Sequence, residues 1–212
     1  MQIDIVSDII CPWCYIGKRR FARALAGVPA PVEITWRPYQ LNPEMPHDGM
    51  ERSAYLALKF GGPARADDIY APIRDAGQAE GIAFAFERIR RTPNTLLSHR
   101  LVRHAGDYGR QDAVVEGLFA AYFVDGRDVG AIDELSAIAA AAGLDRQSTE
   151  AYLASDADLE TVAAEDALAR RMGIQGVPCF IIERRIMVSG AQSPDVFQRA
   201  FKLAAEAPSA TA

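Results

Sequence analysis

The chain has 212 residues, of which 50% are hydrophobic, and 23 basic against 28 acidic side chains give it a formal net charge of −5. This length is long for one compact domain and short for two, so we expect one domain that carries an inserted subdomain. The acidic balance argues against nucleic acid or an anionic membrane as a main partner.

The N-terminus does not have the pattern of a secretory signal. Gln2 and Asp4 occupy the place of a positively charged segment, and Cys11 follows almost at once. No uncharged stretch approaches the roughly 18 residues that span a bilayer. We therefore expect a cytoplasmic protein with no membrane partner, in a compartment where structural disulfides are rare. Three cysteines are also too few, and odd in number, for a disulfide framework.

The first predicted elements form a strand, helix, strand unit. Residues 2–7 alternate well enough to predict a short half-buried strand. A helix is predicted from about Cys14 to Leu25, where apolar residues recur at helical spacing, and it places Cys11 at its N-terminal end. Residues 32–39 have the β-branched and aromatic content of a second strand.

A long helical segment follows, and then a second group of strands and helices. Helices are predicted near residues 50–60, 65–79, 94–107, 112–123, 131–142 and 148–154. Another helix is predicted over 157–174, and two strands over 176–184 and 185–191 with a tight turn between them. The last helix has Ser193 as N-cap and Pro194 at its first position, and residues 208–212 are expected to be a frayed tail.

The cysteines of the sequence CPWC at residues 11–14 could be a metal clip, a structural disulfide or a reversible dithiol. Structural zinc needs four ligands, and the remaining candidates are scattered along the chain: Cys179, His47, His99 and His104. A C-x-x-C pair beside a βαβ pattern in a cytosolic chain favours redox chemistry. We therefore expect a reversible dithiol and no metal site.

Five ordered motifs give the chain a family resemblance: CPWCYIGK, RPYQLNP, PNTLLSHRL, GVPCFII and SGAQ. Together they resemble the FrnE-type cytosolic branch of the DsbA-family oxidoreductases, which is related to 2-hydroxychromene-2-carboxylate isomerases and kappa-class glutathione transferases. The resemblance implies an α/β, thioredoxin-like fold with a large all-helical insertion. Residues 1–44 and 156–205 would form the discontinuous thioredoxin-like domain, and residues 45–155 the inserted helical subdomain. It also implies that the peptide bond before Pro178 is cis.

The start of the first helix determines the expected thiol chemistry. Unpaired N–H groups and the positive end of the helix dipole stabilise a thiolate, so Cys11 should be the exposed nucleophile. Cys14 should be the less accessible resolving thiol that releases the partner. Pro12 suits the first helical turn, where its missing N–H donor is not needed. Trp13 lies at the variable position that tunes the couple.

The family resemblance implies further substrate contacts. Val177 should act through its main chain, which pairs with an extended substrate segment as an added strand. Ser189 and Gln192 in SGAQ resemble the place where glutathione-binding relatives hold the γ-glutamyl end of the tripeptide. A strand-end turn followed by an N-cap explains the SGAQ sequence equally well.

Other polar residues have two interpretations each. Asn94, Ser98 and Arg100 would line the cleft, but a capped amphipathic helix explains them as well. Cys179 is expected to be buried and inert, since free cysteine is among the most buried residue types, with a third redox thiol as the alternative. The consecutive cations 18–20 would add positive potential near the thiols, but a solvated helix face is the favoured interpretation.

The leading functional hypothesis is a thiol–disulfide oxidoreductase in which Cys11 and Cys14, beside Pro178, exchange disulfides with protein or small thiol substrates. It needs no cofactor beyond its own redox-active disulfide, and glutathione is a candidate co-substrate. One alternative is a glutathione-dependent isomerase or transferase, whose relatives have a lone serine where Cys11 stands. Another is a non-catalytic binding module. The direction of reaction is left open, and the alanine-rich insertion is a candidate homodimer face.

Overall fold

The computed structural model describes residues 1–28 and 31–206, so the expected tail at 208–212 lies outside the described residues. A mixed four-stranded sheet is formed by β1 (Gln2–Ser7), β2 (Glu33–Pro38), β5 (Cys179–Ile182) and β6 (Ile186–Ser189), in the order β2-β1-β5-β6. β1 pairs in parallel with β2 and antiparallel with β5. Strands from the two ends of the sequence therefore lie side by side in the middle of the sheet.

Helices flank the sheet and form most of the segment between its two halves. Three helices are next to sheet strands along the chain: α1 (Pro12–Leu25), α8 (Leu159–Arg171) and α9 (Pro194–Glu206). The segment between contains α2 (Arg52–Phe60), α3 (Pro63–Ala79), α4 (Leu96–Gly106), α5 (Gln111–Ala120), α6 (Ile132–Ala141) and α7 (Arg146–Ala154). The expected α/β fold with a helical insertion is confirmed, while the domain boundaries assigned from the sequence stay a prediction. Among the described residues, none of the helices combines the length and apolarity that a membrane crossing requires.

The insertion also contains short elements that the sequence did not predict. These are a pair of two-residue strands, β3 (Met50–Glu51) and β4 (Arg91–Thr92), a 3₁₀ turn at Phe86–Arg88 and a π-helical turn at Ala121–Asp125. Elements of two to five residues are too short to show a hydrophobic period. The other predicted helices and strands lie where they were expected, with ends that shift by a few residues.

The two faces of the sheet are buried by different helices. Ile5 of β1 and Phe180 of β5 lie on the face that packs against α1 and α9, where Phe21, Phe197 and Phe201 complete an aromatic cluster. Cys179 points to the opposite face and is 1% exposed, among apolar residues that include Ala169 of α8 and Ile174, which follows α8. This alternation follows from the two-residue period of a strand.

The prediction that Cys179 is a buried thiol is confirmed. Burial raises the pKa of Cys179 to about 11. Its thiolate is therefore scarce near neutral pH.

Ion pairs attach α1 to the insertion. Lys18 Nζ lies 3.1 Å from Asp112 Oδ2 and 3.0 Å from Glu116 Oε2 on α5, and Tyr15 and Arg19 also bond Glu116. Burial favours the neutral form of Glu116, but Lys18 together with Tyr15 and Arg19 holds the pKa of that carboxyl below its ordinary value. The expectation of a solvated cationic face is wrong, because Lys18 is buried and the insertion supplies the carboxylates.

The edge of the sheet at β2 is occupied by a side chain of α5. Gln111 Oε1 accepts a hydrogen bond from the backbone N–H of Trp36 at 3.0 Å, and Gln111 Nε2 donates to the Trp36 carbonyl at 3.5 Å. The amide of Gln111 thus makes the two bonds that a neighbouring strand would make.

Arg100 is a structural residue of the insertion and does not contribute to a substrate cleft. Its side chain is 1% exposed and donates to four carbonyl groups at or just after the end of α7, those of Tyr152, Leu153, Ser155 and Ala157, at 2.7 to 3.0 Å. Carbonyl groups at a helix C-terminus have no partner within the helix, and the guanidinium supplies one. Of its two interpretations from the sequence, the structural one is correct.

Replacing Arg100 by methionine should strongly destabilise the fold. The change removes four hydrogen bonds to the end of α7, among them the bond to the buried Leu153 carbonyl, and we expect the free energy of unfolding to fall by about 3 kcal/mol or more. Urea titration followed by circular dichroism measures this change. Arg23→Met is the matched control, since the Arg23 side chain is 56% exposed and Glu80 keeps its second partner, Arg20. This control should cost less than about 1 kcal/mol. Equal losses for the two variants would contradict the structural role of Arg100.

Candidate dithiol site

The site is built on the short connection between β1 and α1. Cys11 is the N-cap residue of α1, with an extended backbone at φ −94° and ψ 110°. Its N–H donates to the Asp8 carbonyl at 3.1 Å, and its own carbonyl accepts from the Cys14 N–H at 3.0 Å. The Cys11 side chain makes no capping bond, and Pro12 at the first helical position brings no N–H donor. The Cys11 thiol is therefore free to face another part of the fold.

That other part is the turn that leads into β5. The Val177–Pro178 peptide bond is cis, as expected from the sequence. The Cys11 thiol donates to the Val177 carbonyl at a distance of 3.5 Å. The structure thus brings together three of the predicted site residues from opposite ends of the chain.

Gly17 permits this close approach. A Cβ atom at Gly17 would lie 2.8 Å from Pro178 Cγ, which is closer than real Cβ contacts. The same atom would lie 3.5 Å from both Ala191 and Phe180. Because Gly17 has no side chain, Pro178 can pack directly against α1, one helical turn beyond Cys14.

The thiols of Cys11 and Cys14 are free and face each other, but both are buried. Cys11 is 4% exposed and Cys14 is 1% exposed. The expectation that Cys11 is exposed is wrong, because the turn at Val177 packs over its sulfur. Trp13, at 39% exposed, forms the open surface beside the pair. A partner disulfide therefore reaches Cys11 only after a local opening.

Cys14 is held in its protonated form. Burial, followed by the hydrogen bond and the charge of Cys11, raises the pKa of Cys14 well above that of a free thiol. The Ser7 hydroxyl and the Asp8 backbone N–H face its sulfur and oppose that rise. Cys14 must therefore lose a proton before it can attack a disulfide.

A buried pair of titratable residues lies beside the dithiol, and the sequence interpretation missed it. Asp8 is 0% exposed, and its Oδ2 accepts a hydrogen bond from the Leu41 N–H at 2.7 Å. Its Oδ1 lies 3.4 Å from Nε2 of His99, which is 4% exposed on α4. A charged residue inside the apolar run before CPWC was the available signal, but nothing in the sequence pairs it with His99.

Ser189 and Gln192 lie beside the turn at Pro178. Gly190 N–H donates to the Pro178 carbonyl at 2.8 Å, and Gln192 Nε2 donates to the Ser189 carbonyl at 2.8 Å. Both side chains are exposed. A strand-end turn thus occurs here, and the substrate contact of Ser189 and Gln192 stays a prediction.

Asn94 and Ser98 already have partners in the fold. Asn94 Oδ1 accepts from Gln40 Nε2 at 3.1 Å and from the Leu96 N–H at 3.0 Å, and Asn94 Nδ2 donates to the Met45 carbonyl at 2.8 Å. Ser98 is buried and donates to the Val129 carbonyl. These bonds agree with the capped-helix interpretation, and the contact of Asn94 with substrate stays a prediction.

The residues considered as metal ligands do not converge. Cys179 lies in its apolar cluster, His104 stacks on the Tyr152 ring at 4.2 Å, and His99 lies beside Asp8. In the part of the chain that the structure describes, no group of three or more histidine, cysteine, aspartate or glutamate side chains could hold a metal ion.

Comparison with solved structures reveals close similarity over the whole chain. A probable DsbA oxidoreductase from Streptomyces coelicolor is 34% identical, with a TM-score of 0.90 over 100% of this chain and 93% of the other. A 2-hydroxychromene-2-carboxylate isomerase is 18% identical, with a TM-score of 0.72 over 96% and 95% of the two chains. The cytosolic disulfide reductase DsbM from Pseudomonas aeruginosa, in a structure with GSH, is 20% identical, with a TM-score of 0.61 over 98% and 100%. The last two similarities establish the fold alone.

The family assignment rests on the sequence as well as on the fold. Residues 2–202 match the family described as the DSBA-like thioredoxin domain. The match includes β1, the cysteine pair, the helical segment, the cis-proline turn and most of α9. The chain therefore belongs to the DSBA-like thioredoxin domain family, whose members are generally oxidoreductases that act on thiols and disulfides.

Proposed function

We propose that this protein catalyses thiol–disulfide exchange through Cys11 and Cys14. The observation that carries the proposal is the 3.5 Å contact between the Cys11 sulfur and the Val177 carbonyl, at the turn that contains cis Pro178. The free thiol of Cys11 at the start of a helix is thereby held against a backbone segment suited to binding a substrate.

The reaction has two displacement steps. The Cys11 thiolate attacks a partner disulfide, forms a mixed disulfide and expels one partner sulfur as a thiolate. Cys14 then loses its proton and attacks the Cys11 sulfur, which expels the second partner sulfur. The partner disulfide is reduced by two electrons, and the cysteine pair is oxidised to a disulfide. In the opposite direction the same steps reverse, and the direction follows from the redox potentials of the two couples.

The backbone at Val177 supports an extended substrate segment. Among the described residues, its N–H donates to no backbone acceptor, and its carbonyl faces the Cys11 thiol. A substrate strand that pairs with Val177 would place a disulfide near Cys11, while the exposed ring of Trp13 offers apolar contact. Pro12 contributes no N–H donor of its own to the first turn of α1.

Glutathione is the small co-substrate that we propose, and no other cofactor is needed. The proposal is supported by the exposed turn that contains Ser189 and Gln192 next to Pro178. It is also supported by the fold neighbour DsbM, whose structure was determined with GSH. The FrnE-type branch, the cytoplasmic location and a homodimer stay predictions from the sequence.

Substitution of each cysteine should separate their roles. Cys11→Ser should reduce glutathione-dependent reduction of a protein disulfide such as insulin to the uncatalysed rate, because the attacking sulfur is lost. Cys14→Ser should accumulate a mixed disulfide at Cys11, seen by mass spectrometry under non-reducing conditions. Cys179→Ser is the matched control and should retain turnover. Unchanged turnover in Cys11→Ser would overturn the proposed function.

The same variants distinguish the two alternative functions. A glutathione-dependent isomerase or transferase would isomerise its substrate or conjugate glutathione, and this activity would survive Cys14→Ser. A non-catalytic module would show no turnover, and its capture of partners would be insensitive to both Cys11→Ser and Cys14→Ser.

Gly17→Ala should impair exchange without changing a cysteine. The new methyl group would meet Pro178 Cγ at 2.8 Å, so Pro178 and α1 must move apart, and we expect this to disturb the contact between Cys11 and Val177. We expect kcat/KM for a peptide disulfide to fall about tenfold or more, because small displacements of positioning groups are costly. Gly27→Ala is the matched control, since a Cβ atom there meets nothing within 4 Å. Equal activity of the two variants would contradict the positioning role of this contact.

A further inference from the structure

The strand β6 forms an open edge of the sheet. It pairs with β5 on one side, and within the described residues no strand lies on its other side. At the opposite edge, the side chain of Gln111 occupies both backbone groups of Trp36 in β2. An edge strand with free backbone groups is a template on which another chain can add a strand. The two edges of the sheet are therefore unequal, and β6 is the edge at which a further strand could pair.

The bonds around β5 determine which backbone groups of β6 face outward. Glu183, just after β5, donates its N–H to the β1 side at 2.8 Å. Pro178, just before β5, accepts a bond from the Gly190 N–H, just after β6, at 2.8 Å. The bonds of successive residues alternate between the two sides of a strand. The even-numbered residues of β6 therefore bond to β5, while Met187 and Ser189 direct their N–H and carbonyl groups away from the sheet.

Some of the outward groups near this edge are already bonded within the molecule. The Ser189 carbonyl accepts a hydrogen bond from Gln192 Nε2 at 2.8 Å. The Arg185 N–H donates to the Ile182 carbonyl at 3.1 Å. The N–H and carbonyl of Met187 make no hydrogen bond within the described residues. The free groups of Met187 thus lie midway between a bonded N–H and a bonded carbonyl.

This arrangement of bonded and free groups is complementary to itself. In an antiparallel pair of two β6 strands centred on Met187, the two Met187 residues exchange both of their N–H···O bonds. The same register places the Arg185 N–H of one copy opposite the Ser189 carbonyl of the other, and both groups already have partners. A strand from an unrelated protein would bring a new N–H and a new carbonyl opposite these bonded groups. The hydrogen-bonding pattern therefore favours a second copy of this chain as the occupant.

Exposed apolar side chains lie on one face of the sheet beside β6. Met187 is 48% exposed and shares this face with Ile181, its partner in β5. Leu168 of α8 and Met172, which follows α8, are 48% and 49% exposed, and together with Ile181 they line a cleft of about 420 Å³. Clustered apolar groups on a surface are typical of protein–protein contacts, and methionine adapts to the shape of a partner. A strand added at β6 would reduce the exposure of Met187.

We propose that two copies of the chain associate through β6, as a two-fold symmetric dimer with an antiparallel strand pair centred on Met187. The pair would join the two sheets into one continuous sheet. Two-fold dimers that use one self-complementary surface are the commonest oligomers of soluble proteins. This surface differs from the alanine-rich insertion that the sequence suggested as a dimer face. The proposal does not depend on thiol–disulfide exchange, because no residue of the dithiol takes part.

Sedimentation equilibrium of the full chain tests the proposal. We expect a monomer–dimer equilibrium between about 1 µM and about 200 µM, since a short strand pair gives a small interface of modest affinity. Met187→Lys should weaken association about tenfold or more, because two like charges would lie opposite each other at the two-fold axis. Circular dichroism of each variant checks that the fold is retained.

Met187→Pro provides an independent variant. The Met187 N–H makes no bond within the described residues, and proline is tolerated on an edge strand where the N–H faces solvent. The change removes both N–H donors of the central pair in the dimer. It should therefore also weaken association about tenfold or more.

Leu58→Lys is the matched control. Leu58 lies on α2 in the insertion and is 78% exposed, so the change removes an exposed apolar side chain and adds the same charge as Met187→Lys. We expect the dissociation constant to stay within about twofold of the wild-type value, as for most surface substitutions.

The possible results have distinct meanings. Weakening confined to the two Met187 variants would support the proposed dimer. A wild type that stays monomeric over the whole concentration range would overturn it. Weakening by Leu58→Lys alone would also overturn it and place the interface on the insertion. Equal weakening by Leu58→Lys and Met187→Lys would indicate non-specific association, and the proposal would fail.

Discussion

The contact between α1 and the turn at Pro178 brings the Cys11 thiol and the Val177 backbone together. It needs a bare backbone at Gly17, since a Cβ atom there would lie 2.8 Å from Pro178. It also needs the pairing of β1 with β5, in which Val6 lies opposite Cys179 and fixes where the turn meets the helix. A shift of one residue in this register would reverse the faces of β5 and separate the turn from the helix start. The first and last parts of the chain must therefore pair correctly before any of the site exists.

Buried polar contacts then determine how the helical insertion packs against the sheet and α1. Lys18 is buried and paired with Asp112 and Glu116, while Arg100 donates to carbonyl groups at the end of α7. Buried ion pairs contribute little net stability compared with apolar packing, but an unpaired member is costly. Such contacts penalise every arrangement in which the insertion docks differently. They also hold α4, whose His99 lies beside Asp8.

The features that could be predicted from the sequence are those with a local or periodic signal. The start of α1 at Pro12 follows from helix chemistry around CPWC, and β5 follows from an apolar run after Pro178. The burial of Cys179 was predicted from its place on an apolar strand, because free cysteine is among the most buried residue types. These signals need only neighbouring residues, so they were visible without the fold.

What could not be predicted depends on pairs that are distant in the sequence. Lys18 looked like part of a solvated face because its carboxylate partners lie 94 and 98 residues away. The burial of Cys11 depends on Val177, 166 residues away. The ion-pair partner of the buried Asp8 carboxylate, His99, likewise lies far from it in the sequence. A helical or strand period cannot report such pairs, since it describes one element at a time.

The side chain of Gln111 affects whether a second protein molecule can add a strand to the β2 edge of the sheet. An edge strand with free N–H and carbonyl groups is a template on which another chain can add its own strand, and this is a common route to aggregation. Gln111 occupies both groups of Trp36 in the middle of β2, so the ladder cannot continue past that residue. One amide on a helix thus terminates the sheet at this side, and it does so from within the same molecule, without a second polypeptide.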